Sequence, residues 1–264
     1  MRLSLLLPAW KHMQGSAVLA RWTARADRIA GSAPGRNTAL RECFTVEEDA
    51  LPIAALTRSV DADDAAGELW LRADPAFVMA DAVTLRLLAC GNLALSADEV
   101  TAFVHALAPT FEECGLTLDA PHPQRWYLRG LDGAKLPTFS PPDDALGDDL
   151  GRHMPEGDDA RRWRGLLNEV QIVLTQHPAN TQRTRRGLPP VNSLWFWGGG
   201  MLPQSVRSEF AKVYSSDEVV VALAKRAKAE WSAEPGDARE RSLDRKSTRL
   251  NSSHITPSRM PSSA

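Results

Sequence analysis

Residues 193–200 read SLWFWGGG. In an extended chain successive side chains point to opposite faces. Leu194, Trp195, Phe196 and Trp197 therefore place apolar bulk on both faces of one strand. Such a strand is stable only in a sheet packed on both sides. Asn192–Trp197 is expected to be a buried core strand. Gly198, Gly199 and Gly200 are expected to form the loop leaving it, where the backbone can bend or approach a ligand closely. WGGG matches neither a P-loop nor a G-x-G-x-x-G fingerprint, so spacing alone assigns it no phosphate.

The helical signals are of two strengths. Ser96 and Glu99 form an S-x-x-E capping box, followed by Val100, Phe103, Val104 and Leu107 at helical spacing. Pro109 and the ECG at 113–115 are expected to close that helix. A second helix is expected from near Asp158, with Trp163, Leu166, Leu167, Val170 and Leu174 on one apolar face and Pro178 as its stop. His177 then falls in its last turn, where an imidazolium favours the negative helix end. Weaker periodicity (Leu19, Trp22, Ala26, Ile29) suggests a helix over 16–29, ended by GSAPG. Short strands are expected at Arg2–Leu7, Glu68–Arg72 and Arg125–Gly130, the first of them buried.

The chain has 264 residues, enough for one large or two small domains, and a net charge of −2 that provides no field toward nucleic acid or a membrane. The apolar run at Leu5–Leu7 is cut by Pro8, too short for a secretory or spanning segment, so a cytoplasmic protein is expected. Cys43, Cys90 and Cys114 are far apart and read as buried free thiols. Asp61, Asp63 and Asp64 lack the glycine and distal glutamate of a calcium loop and read as a solvated acidic turn. The segment HPANTQRTRRGLPPVN, 177–192, reads as a polar, basic loop. Its clustered arginines could fork onto a phosphate or carboxylate, or could be a solvated turn. From Asp244 the text becomes rich in Ser, Arg and Pro without apolar periodicity. Residues 244–264 are expected to be disordered. They resemble translated cloning read-through that replaces the natural continuation.

RWYLRG, LGDDLGRHMPEGD, LLNEVQIVLTQHPANTQRTRRGLPPVN and SLWFWGGG occur in that order. Together they resemble the archaeal-type cofactor-independent phosphoglycerate mutases. LLLP, ARADR, ALGDDL and VNSLWFWGGG are similar to a bacterial branch of that family, described as regulatory proteins of the pathogenicity-factor E type. The resemblance implies an α/β fold: an alkaline-phosphatase-like mixed-sheet core, incomplete here, with an inserted smaller α+β domain. On that reading 1–60 begins the core, 61–185 holds the inserted domain and a connecting helix, and 186–243 returns to the core. The family further implies divalent metals (Mn, Mg or Zn) and a serine nucleophile. The Asp-Gly pair that ends the family's first strand is replaced by Leu7, Pro8 and Ala9, and Leu51–Leu56 contains no serine. No cofactor or metal ligand is therefore identified in this chain. The resemblance and the guanidinium cluster make His177, Asn180, Arg183, Arg186, Asn192, Gly198, Gly199 and Gly200 the candidate site for a small phosphorylated or anionic ligand. The expected function is non-catalytic, regulatory or ligand-binding. The alternative is a metal-dependent mutase.

Overall fold

A computed structural model describes residues 4, 6, 17–27, 35–48, 50–81, 84–131, 133, 136–157 and 159–233. It is a mixed α/β fold built on an antiparallel sheet. The first elements are α1 (Ala17–Thr23), α2 (Arg36–Cys43), β1 (Thr45–Val46) and α3 (Ile53–Asp61). The expected helix over 16–29 is thus only seven residues long, and Trp22 is exposed rather than packed. The buried strand expected at Arg2–Leu7 lies outside the described residues except for Ser4 and Leu6, both exposed and in neither helix nor strand. Residues 244–264 also lie outside the described residues.

The centre of the fold is β2 (Leu69–Ala80), followed by β3 (Leu85–Cys90), α4 (Ala97–Glu112), β4 (Thr117–His122) and β5 (Arg125–Arg129). The expected strand at Glu68–Arg72 is in fact twelve residues long. β5 pairs with β2 at Leu71 and Arg72, and β3 pairs with it from Ala76 onward. At this handover the side chain of Asp74 accepts from Trp126 N at 3.2 Å, serving a main-chain donor of β5. Pro75, which cannot donate a ladder hydrogen bond, also sits here.

The capping box of α4 is present with both bonds formed. The helix runs through Pro109 and ends at the ECG of 113–115, its last residue being Glu112, with Phe111 fully buried. Gly115 turns the chain out at φ +73°, and Leu116 N returns to Phe111 O at 2.9 Å. Next come α5 (Pro142–Ala145), a short 3-10 turn (Leu150–His153), α6 (Ala160–Gln176) and α7 (Pro178–Arg185). Residues 146–149 bridge to Arg86 and Leu87 and cover the outer edge of β3. Trp163, Leu166, Leu167, Val170 and Leu174 are the buried face of α6, as their spacing indicates.

The remaining elements are β6 (Ser193–Met201), β7 (Val206–Arg207), β8 (Lys212–Tyr214), α8 (Glu218–Arg226) and β9 (Glu230–Ser232). β6 is antiparallel to β2 from Ala76↔Ser193 to Leu69↔Met201, so the strand on the 186–243 side of the expected boundary shares a sheet with β2–β5. Its side chains divide between two cores. Leu194 and Phe196 join α4 and α6, while Trp195 and Trp197 join α2, α3 and α8. The aromatic run is therefore buried on both faces. Gly198–Gly200 are strand residues, which corrects the expected loop. A Cβ on Gly198 would lie 2.8 Å from Ile53 Cβ, and one on Gly200 would lie 2.5 Å from Pro52 Cβ. Their φ values, +65° and +152°, also favour glycine. The glycines let the start of α3 sit directly on the strand.

Candidate functional site: a polar cleft over the Arg72–Asp74 pair

Residues 178–185 of the segment expected to be a basic loop form helix α7, which buries Asn180 and Arg183 and leaves Thr181, Gln182, Thr184 and Arg185 exposed. Pro178 stops α6 and occupies the first turn of α7, where its missing N–H costs nothing. His177 caps α7: its Nδ1 accepts from Ala179 N at 3.2 Å. Burial lowers the His177 pKa, which favours the neutral ring that this acceptor role requires. This corrects its expected role as a cation at the end of α6. Asn180 donates to Leu174 O and Val191 O, both at 2.7 Å, and accepts from Val191 N at 2.8 Å. Arg183 is fully buried and donates to Pro189 O, Leu93 O and Glu99 Oε2. Asn192 exchanges bonds with Val78 N and O. His177, Asn180 and Arg183 come together on α7, whereas Asn192 faces β2 and Gly198–Gly200 lie under α3. Only Arg186 of this set is mainly solvent-exposed, its guanidinium 3.4 Å from Glu99.

The acidic turn is likewise not solvated throughout. Asp61 accepts from Arg125 Nε and Nη2 at 2.7 Å and from Tyr127 OH at 2.6 Å. Burial raises the Asp61 pKa, but these bonds outweigh it and hold the carboxyl below its ordinary value. Asp64 pairs with Arg58, which also reaches Asp119 and lies over the Trp70 ring. Arg58, Trp70 and Tyr127 form a cation–π wall at the end of α3.

A cleft of about 260 Å³ opens beside this wall. Arg36, Arg72, Arg125, Asp74, Asp143, Asp217, Glu218, Asn92, Gln124, Cys90 and Trp197 line it. Arg72 and Asp74 form the floor. They share two 2.8 Å bonds through Nε and Nη2, and Arg72 Nη1 reaches Thr57 Oγ1. Asp74 also accepts from Trp197 Nε1 at 2.7 Å. Burial pushes the Asp74 pKa up, against the pull of Arg72, Trp197 and Trp126. The floor uses every donor of Arg72 that points at the pair, so it is structural.

The walls differ. Arg125 is held by Asp61 through Nε and Nη2, and Arg36 is held by Asp217 through Nη2. Nη1 of each makes no hydrogen bond among the described residues. Glu218 and Asp143 likewise have no hydrogen bond or ion pair among the described residues, although Glu218 raises the Arg125 pKa through space. Cys90 also lines the cleft, and burial, then Asp74, push its thiol pKa well up. All three cysteines are free, and they are partly rather than fully buried.

Apart from Arg72, Cys90, Arg125 and Trp197, the residues of the cleft stand in none of the sequence motifs or expected strands described above. Their signal was present: charges at i and i+2 in LWLRADP, an otherwise apolar strand, require a buried pair.

The cleft does not suit a divalent metal centre. Among the described residues no three His, Cys, Asp or Glu side chains are grouped to hold an ion. Asp61, Asp74 and Asp217 are each occupied by a guanidinium.

No family model matches the chain. The 2,3-bisphosphoglycerate-independent phosphoglycerate mutase of Methanothrix thermoacetophila is 34% identical over 82 residues, 31% of this chain and 20% of that protein. The probable enzyme of that name from Geobacter sulfurreducens is 40% identical over 67 residues, 25% of this chain and 17% of that protein. These partial matches support that family. The matched part spans about a fifth of the length of those relatives. The solved cofactor-independent phosphoglycerate mutase from Thermoplasma acidophilum aligns over 70% of this chain and 52% of its own, at 18% identity and a TM-score of 0.43. Among the described residues no helix is long and apolar enough to cross a membrane.

Proposed function

We propose that this phosphoglycerate mutase-like chain binds a small hydroxylated anion of the phosphoglycerate class in the cleft and holds it without turning it over, in a regulatory role. The observation that carries this reading is the pairing of spare donors with spare acceptors across one opening. Nη1 of Arg36 and of Arg125 can donate to an oxyanion. Glu218 or Asp143 can accept from the hydroxyl of the same ligand, and the Asn92 and Gln124 amides can donate or accept. A phosphorylated hydroxy acid offers two anionic groups to these arginines and a hydroxyl to Glu218 or Asp143. The volume is at the small end of ligand pockets, which suits a metabolite.

Holding rather than converting is supported by the state of Cys90, a thiol kept protonated and so a weak nucleophile. Partial similarity to phosphoglycerate mutases supports the ligand class. Calorimetric titration with 3-phosphoglycerate tests the reading. Binding is expected for the parent chain, reduced at least tenfold in Arg36→Ala, whose partner Asp217 is solvent-accessible, and unchanged in Arg186→Ala, which probes the end of α7 instead. No binding, or binding lost only in Arg186→Ala, would remove the cleft from consideration. Isomerisation of 3-phosphoglycerate by the purified chain, with Mn, Mg or Zn added, would replace the binding role by the enzymatic one.

A further inference from the structure

Three guanidiniums line the cleft, and they differ in what holds them. Arg72 lies against Asp74 with both side chains 3% exposed, and Arg125 lies against Asp61, which is 6% exposed. Both pairs use two parallel bonds. Moving either arginine would leave a buried carboxylate unpaired, a large cost. Arg36 is held differently. It meets Asp217, 181 positions away, through one bond of 2.5 Å, with the two side chains 31% and 35% exposed.

Asp217 also divides its oxygens. Oδ1 accepts from Val219 N at 3.0 Å and Val220 N at 3.1 Å, capping α8, while Oδ2 takes Arg36. If Arg36 left, the cap would stay in place and Oδ2 would be rehydrated. Among the three arginines, Arg36 alone can change partner at little cost.

We propose that the carboxylate of Asp217 is a built-in competitor for the ligand: it occupies the Arg36 guanidinium when the cleft is empty and is displaced by the incoming phosphate or carboxylate. This rests on the cleft being the ligand site. The pair then sets a threshold. A ligand binds only if its anion serves Arg36 better than Asp217 does while its hydroxyl serves Glu218 or Asp143, the lining carboxylates that hold no guanidinium among the described residues. Inorganic phosphate offers one anionic group to Arg36 and Arg125, whereas 3-phosphoglycerate offers two, so inorganic phosphate is expected to bind more weakly.

The test is calorimetric titration of the full chain with 3-phosphoglycerate and with inorganic phosphate at fixed ionic strength. Asp217→Asn and Asp217→Ser both keep an N-cap acceptor and remove the competing charge. Each is expected to bind 3-phosphoglycerate more tightly than the parent, by up to about fivefold, the range of a half-exposed ion pair. Arg36→Ala is expected to lose affinity at least tenfold, and adding Asp217→Asn to it should restore nothing. Far-UV circular dichroism identifies any variant that has not folded, and the second Asp217 substitution then decides. Parent-like or weaker binding in the folded Asp217 variants overturns the competitor and leaves the cleft as the site. Failure of every variant and the parent to bind overturns both.

Discussion

The indole N–H of Trp197 ends 2.7 Å from Oδ2 of Asp74, across 123 positions of sequence. It ties the aromatic run of β6 to the charged pair of β2. Trp197→Phe keeps the ring in the core and removes this donor. The buried carboxylate then loses one of its bonds, for a loss of about 1.5–3 kcal/mol. Urea denaturation of the two proteins measures it; a change under about 0.5 kcal/mol, the level of a surface substitution, would show that the bond contributes nothing.

The glycines of β6 should rank by what stands next to them. A methyl on Gly199 meets Cδ1 of Leu136 at 2.5 Å, the far end of a flexible side chain. A methyl on Gly200 meets the Pro52 ring at 2.5 Å and its Cα at 3.1 Å. Overpacking costs about 1–3 kcal/mol, and Gly200→Ala should fall at the top of that range while Gly199→Ala falls at the bottom. Thermal unfolding midpoints give the order, and the reverse order would contradict the packing described here.

Arg183→Ala leaves Leu93 O and Pro189 O without the donor that serves them and takes from Glu99 its buried guanidinium partner. A loss of about 3–5 kcal/mol is expected. Arg186→Ala, at a mainly exposed side chain, should stay within about 0.5 kcal/mol of the parent. Chemical denaturation of both variants checks the contrast.

Acid should loosen the fold in two steps. His177 has its folded pKa lowered, so the stability from its neutral cap is complete above the unfolded value of about 6.5 and is lost as pH falls through the folded value. Asp61 is also lowered, and its contribution is complete above about 4 and lost below it. His177→Asn keeps a cap acceptor that does not titrate. It should flatten the dependence of denaturation free energy on pH just below 6.5 and leave the lower step intact.

Much of this architecture can be read from the residues. The capping box at Ser96 and Glu99, the apolar face of α6 and the doubly buried run at Leu194–Trp197 each rest on local patterns that tertiary packing reinforces. Helix α7 could not be read in this way. PANTQRTR has almost no apolar residues to show a period, and it is held by Asn180 and Arg183 bonding to carbonyls elsewhere in the chain. β2 was hidden for a related reason. Asp74 and Pro75 look like breakers, and only the partner change between β5 and β3 makes room for them. The cleft draws Arg36, Asp143 and Asp217 from three separate helical starts, a convergence that spacing along the chain does not reveal.

β2 is bonded to β3, β5 and β6, whereas β4 touches the sheet through β5 alone. A strand with that many partners cannot peel away from an edge. Its amides should exchange with deuterium only when the whole sheet opens, whereas those of β4 exchange through local fraying. The cleft floor at Arg72 and Asp74 is carried on that slowest-exchanging strand, so the floor stays in place while the Arg36–Asp217 wall can open and close above it.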